Sequence, residues 1–218
     1  MAVVAPQRTV ALGGRLARLA ARAAPGWLSA AAPPPPPRKH TPRLPQLYTG
    51  GAWDQWLVPS LRSLETGALP ELRQEAEGVW SFPCLEPWFC DAMVAEVEAY
   101  SAANPGSAVR PNTMNNYGLV LGEAGMGECM QELVRRLRPI AAALLPEWGG
   151  ATIEDCYSFT VKYEPGRDEG LDMHVDASDV TFNVALSGGG ADYGGGGLAF
   201  CGLSGTAGGG TGGGGGPG

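Results

Sequence analysis

The chain has two histidines, His40 and His174, and after Arg167 it contains no lysine or arginine. No second imidazole follows position 174, and no positive side chain follows 167. Acids are missing from the other end. The first 53 residues hold seven of the 15 Lys and Arg and none of the 22 Asp and Glu; eight basic against 22 acidic residues remain from Asp54 onward, a net of −14. So acidic a body excludes phosphate-backbone binding, which needs clustered cations, and nucleic acid is not an expected partner. Five cysteines at 84, 90, 129, 156 and 201 are odd in number and form no CxxC pair, which excludes a disulfide framework and a zinc site. They read as small buried hydrophobes. No run approaches the roughly 18 apolar residues of a membrane span.

What is present falls into four parts. Residues 1–52 form a basic, proline-rich leader and linker, expected to be disordered. Arg15, Arg18 and Arg22 sit at helical spacing beside Leu12, Leu16 and Leu19. This is the pattern of an organelle transit peptide (chloroplast or mitochondrion), with a plain disordered tail in the cytoplasm or a secretory-pathway protein as the alternatives. Pro33 to Pro37 is a polyproline II linker, and His40 belongs to it. Residues 53–77 are a short helical lead-in, with Trp53, Trp56, Leu57, Leu61 and Leu64 on one face, followed by a polar link over Glu71 to Glu77.

Residues 78–201 carry the domain. Val79 to Leu85 reads as a strand ending at Pro83. Pro87 opens a helix with Phe89, Met93, Val94, Val97 and Tyr100 on one face, closed by Asn104-Pro-Gly106. A loop and short strand over Asn112 to Leu121 precede a long helix from about Met126 to Leu145, with Pro139 inside it. After Gly149-Gly150 the pattern turns to β: Tyr157–Tyr163, Leu171–Asp176, Val180–Leu186, and a start at Leu198–Cys201. Helices before strands, rather than alternating with them, predict an α+β jelly-roll with N-terminal supporting helices and exclude a Rossmann domain. Residues 202–218 are eleven-seventeenths glycine and are expected to be disordered.

The stretch Asp172-Met-His174-Val-Asp176 places an imidazole two residues from a carboxylate. Read as a strand, i and i+2 share a face, so both donors point together. A mixed nitrogen and oxygen set of this kind suits Fe(II) in non-haem oxygenases.

Three further stretches carry a resemblance: Trp80-Ser-Phe82-Pro83 with Cys90-Asp91; Phe159-Thr-Val-Lys-Tyr163-Glu-Pro165; and His174-Val-Asp176-Ala-Ser178 through Thr181-Phe-Asn183-Val-Ala-Leu186 to Asp192-Tyr193 and its glycines. From Gly78 to Cys201 the chain resembles the lysyl hydroxylase catalytic domain, within the prolyl 4-hydroxylase type of Fe(II)- and 2-oxoglutarate-dependent dioxygenases. The resemblance implies a double-stranded β-helix with iron at its mouth, His174 and Asp176 as two of three protein ligands, and 2-oxoglutarate as co-substrate. It implies that Tyr163 helps hold 2-oxoglutarate; Thr181 and Asn183, on one face of their strand, are candidates for the same pocket. It also implies L-ascorbate as reductant and a Lys or Pro side chain of a peptide or protein (or a small molecule) as the site of hydroxylation.

The family's third ligand is a downstream His, followed by an Arg or Lys for the co-substrate's far carboxylate, and this chain has neither. A departure of this kind, with the last strands missing, reads as a truncated dioxygenase with an unpaired sheet edge and impaired activity. The alternative is a non-catalytic jelly-roll binding protein derived from the same family.

Overall fold

Val180-Thr-Phe-Asn-Val-Ala185 alternates apolar and polar side chains, and this alternation splits the molecule into two faces. Val180, Phe182 and Val184 are buried in the main apolar core, while Thr181 and Asn183 point the other way. The computed structural model describes residues 2–6, 16–22, 41–62, 64, 67–106, 110–187 and 199–200, the first two segments as backbone alone.

Seven strands form one antiparallel sheet in the order β3-β4-β1-β7-β2-β6-β5. They are β1 (Ala2–Pro6), β2 (Leu16–Arg22), β3 (Arg73–Ala76), β4 (Val79–Phe82), β5 (Gly118–Val120), β6 (Asp155–Val161) and β7 (Val180–Ala185). The helices are α1 (Trp53–Trp56), α2 (Pro59–Arg62), α3 (Pro87–Ala103) and α4 (Gly127–Leu144). Buried side chains of α3 and α4, among them Phe89, Met93, Leu133, Leu137 and Ile140, join Phe182 and Val184 in one core. The fold is α+β. Among the described residues the strands make a single sheet; a second facing sheet, as in a jelly-roll, is not formed there.

Several expectations need correction. The segment read as a leader contributes β1 and β2, and Leu16–Arg22 is extended rather than helical. Backbone pairing explains this: β7 is paired by β1 on one side and β2 on the other, so the edge expected to stand open is covered. The 53–64 helix is two short helices, because Val58 precedes a proline and is driven out of helical geometry. The polar link contains β3, which pairs with β4 across a turn at Gly78 (φ +74°). Leu171–Asp176 is not a strand. The glycine-rich tail lies outside the described residues, as do His40 and the proline run.

On α3, Glu96 is fully buried. Its carboxylate accepts from the backbone N–H of Arg43 (2.7 Å) and Leu44 (3.1 Å) and from the Tyr48 hydroxyl (2.8 Å). A buried carboxylate survives only with such partners, and here it ties the start of the described body to the core.

Candidate metal centre

His174 and Asp176 lie between Leu171, which is buried, and β7. Although the segment is no strand, it brings the two side chains together: His174 Nε2 is 3.2 Å from Asp176 Oδ1, with the side chains 12% and 19% exposed. The ring's other nitrogen, Nδ1, lies 2.9 Å from the Asp172 carbonyl oxygen. A carbonyl only accepts, so Nδ1 carries the hydrogen in this contact. Nε2 and the Asp176 oxygen then share one position between them, which a proton on Nε2 or a bound cation fills. Adjacent donors on an octahedral ion at about 2.1 Å stand roughly 3 Å apart, which this spacing fits.

Asp176 is held from behind. Thr181 Oγ1 donates to its Oδ2 at 2.9 Å, and Ser178 Oγ lies 2.8 Å from Thr181 Oγ1. Thr181 has one hydroxyl hydrogen, already spent on Asp176, so Ser178 is the donor in the second bond. The relay Ser178, Thr181, Asp176 fixes Oδ2 and leaves Oδ1 directed at His174. Ser178 and Thr181 are each 2% exposed, so water does not compete for these bonds.

The pair opens on a cavity of about 580 Å³. The opposite walls are Pro111 to Met114 and the β6 residues Asp155, Cys156, Tyr157 and Phe159. Tyr157 and Phe159 rings lie 5.6 Å apart, and the Tyr157 hydroxyl donates to the Pro111 carbonyl at 2.7 Å. Burial, with the nearby charge of Glu123, pushes the Tyr157 phenol up. Burial, reinforced by Asp155, pushes the Cys156 thiol up to about 12. Among the described residues, no Lys or Arg lines the cavity. Among the described residues no third His, Cys, Asp or Glu joins the pair as a metal-binding group.

The other expected site residues are placed as follows. Thr181 lines the cavity and holds Asp176. Asn183 is on the same face of β7, 3% exposed, and its Oδ1 has no hydrogen-bond partner. Tyr163 does not line the cavity; its hydroxyl accepts from Asn115 Nδ2 at 3.3 Å. The loop wall, Ser178's place in the relay and Asp168 (below) went unread, because their partners are 46 to 52 residues away or sit in turns without periodicity.

An OGFOD2-like domain model matches residues 38–150, just over half of the chain. The chain belongs to the OGFOD2-like family. The matched stretch ends before β6 and the His174 segment. This OGFOD2-like chain is 38% identical over 135 residues to the human 2-oxoglutarate and iron-dependent oxygenase domain-containing protein 2, covering 61% of this chain and 37% of that protein. It is 35% identical over 157 residues to the 2-oxoglutarate and iron-dependent oxygenase domain-containing protein ICU11 of Arabidopsis thaliana, covering 70% and 37%. The chain thus spans little more than a third of the length of these relatives. Likeness to the human multifunctional procollagen lysine hydroxylase and glycosyltransferase LH3 is lower, 31% over 146 residues, covering 64% and 19%. Lysyl hydroxylases are therefore more distant relatives than the oxygenase-domain proteins. No solved structure matches the chain.

Proposed function

We propose that this chain is the metal-bearing part of an Fe(II)- and 2-oxoglutarate-dependent dioxygenase that hydroxylates a Lys or Pro side chain of a peptide or protein, releasing succinate and CO2. The observation that carries this reading is the close approach of His174 Nε2 and Asp176 Oδ1, 3.2 Å apart at the wall of a cavity. The names of the OGFOD2-like relatives support it. Bound Fe(II) would activate O2, the oxidant, which takes two electrons from 2-oxoglutarate (leaving succinate and CO2) and two from the hydroxylated C–H bond, with ascorbate keeping the metal reduced.

The chain's own residues orient and shield. The Asp172 carbonyl accepts the Nδ1 hydrogen of His174, so Nε2 is the nitrogen that would hold a metal. The relay from Ser178 through Thr181 keeps Asp176 from rotating away. Asn183 offers a buried amide oxygen without a partner, and the amide turned end for end would present its NH2 there, to a carboxylate of the co-substrate. Phe159, Tyr157 and Met114 line the cavity beside the pair. Met173 and Val175, 67% and 62% exposed, flank His174 and form an apolar rim for a peptide. The sheet face bearing Thr181 and Asn183 is read as one layer of a double-stranded β-helix.

One observation favours the second reading, a non-catalytic binding protein: two ligands without a third, among the described residues, hold Fe(II) weakly. Turnover separates the two. With Fe(II), ascorbate and a peptide pool, the dioxygenase converts 2-oxoglutarate to succinate and His174→Ala abolishes it. Succinate formation at the rate of a protein-free control contradicts the proposal.

A further inference from the structure

Asp168 is only 9% exposed, and none of the chemistry proposed above uses it. Its Oδ2 accepts the backbone N–H of Asn116 (2.7 Å) and Tyr117 (3.0 Å), and its Oδ1 accepts the Asn116 side-chain amide (2.9 Å). All three donors belong to one loop, some fifty residues away in the chain. The first part of that loop, Pro111 to Met114, lines the cavity together with His174 and Asp176. Its shape is set internally, since Asn112 Oδ1 accepts the N–H groups of Met114 (2.8 Å) and Asn115 (2.7 Å). Its placement is set externally, at Pro111 by the Tyr157 hydroxyl and at Asn116 and Tyr117 by Asp168.

The segment carrying His174 is likewise fastened at two ends. Ser178 and Thr181 hold the downstream end. Asp168 and buried Leu171 hold the upstream end, and the carbonyl of Asp168 accepts the Glu164 N–H at 3.0 Å to close the preceding turn. Asp168 is thus common to both walls.

We infer that Asp168 is a positioning residue, whose carboxylate latches the Pro111–Tyr117 loop to the His174–Asp176 segment and so sets the width of the metal cavity. The inference of a metal cavity rests on the proposed function; the latch itself rests on geometry. The residue type follows from the chemistry. Two backbone N–H groups converge on Oδ2 and the Asn116 amide on Oδ1; an asparagine at 168 would lose the charge that strengthens all three bonds and keep the third only if the Asn116 amide turned end for end. A buried carboxylate also needs such donors to offset its lost hydration. Burial raises the Asp168 carboxyl, but the bonds from Asn116 and Tyr117 outweigh it and hold the group below the usual aspartate range.

The test compares amide hydrogen exchange in the full chain, without added metal, for wild type, Asp168→Asn and Asn116→Ala, together with Mn(II) titration. Asp168→Asn is expected to speed exchange about tenfold or more in peptides covering 111–117 and also in those covering 172–177, with α4 unchanged. Mn(II) affinity should fall about three- to tenfold, as for other groups that orient metal ligands. Asn116→Ala, which removes one donor, should act in the same direction but less. Faster exchange confined to 111–117, with 172–177 as in wild type, overturns the latch. If Asp168→Asn loosens α4 as well, Asn116→Ala decides by the same criterion. A wild type that binds no Mn(II) refutes the metal reading and leaves exchange to decide the latch.

Discussion

Replacing Thr181 by Val removes one hydroxyl from the metal centre while keeping the shape of the side chain. Two bonds go with it: the 2.9 Å bond to Asp176 and the 2.8 Å bond from Ser178. A hydrogen bond to a charged group contributes about 1.5–3 kcal/mol, and a buried donor left unpaired costs about 1–3 kcal/mol. Because Asp176 is part-exposed and recovers water, we take the low end of both, about 2–3 kcal/mol of stability in all. For a chain of this size that corresponds to a Tm lower by about 4–12 °C. The metal should feel the loss separately. Freed from Thr181, Asp176 samples rotamers that turn Oδ1 from His174, and loss of such a supporting bond typically weakens metal binding about 10- to 100-fold. Mn(II) titration, followed by the loss of the free-ion resonance signal, measures this directly. Thr181→Ser keeps the hydroxyl and should bind within about threefold of wild type. A folded Thr181→Val protein with wild-type Mn(II) affinity would refute the relay.

Three further predictions concern the frame around the site. Glu96→Gln replaces an acceptor oxygen with a donor facing Arg43 and Leu44 or Tyr48, and should destabilise by about 2–4 kcal/mol in urea unfolding, against about 1–2 kcal/mol for Tyr48→Phe. Gly118→Val should shift the cavity wall, because a Cβ there meets the Thr160 carbonyl oxygen and lies 2.7 Å from the Pro111 ring; near-ultraviolet dichroism of Tyr157 would report it, and an unchanged spectrum would count against the packing. Glu132 is held at about 2, chiefly by the hydrogen bond from Arg135, with burial opposing and Arg136 adding to the lowering. Its folded value lies below the ordinary 4.5, so its contribution is present above about 4.5 and is lost as pH falls toward 2. Glu132→Gln should flatten stability across that window, lowering it at neutral pH and leaving it near wild type at about pH 2.

The parts of the fold legible in the sequence were those with a strong period. Helix α3 from Pro87, α4 with Leu133, Leu137 and Ile140 inward, and β7 with its alternation all follow from burial of one face. The His174–Asp176 pair was legible too, though the reason differs: the segment is not a strand, and its anchors at Asp168, Leu171 and Thr181 bring the side chains together. Strands β1 and β2 were not legible. Ala-rich sequence with spaced arginines has no clear period-2 pattern, and its backbone pairing is dictated by the open sides of β7 and β6. Glu96 was hidden for a related reason, since a carboxylate on the inner face of a helix makes sense only once Tyr48 and the Arg43 and Leu44 amides are seen against it. Long-range polar contacts leave no periodic trace.

The most direct test of the central claim is Mn(II) binding to the wild-type chain, to His174→Ala and to Asp176→Ala, each checked for folding by far-ultraviolet dichroism. The account predicts one site per chain in wild type and loss of that site in either variant. Equal binding by all three, or none by the folded wild type, would contradict it.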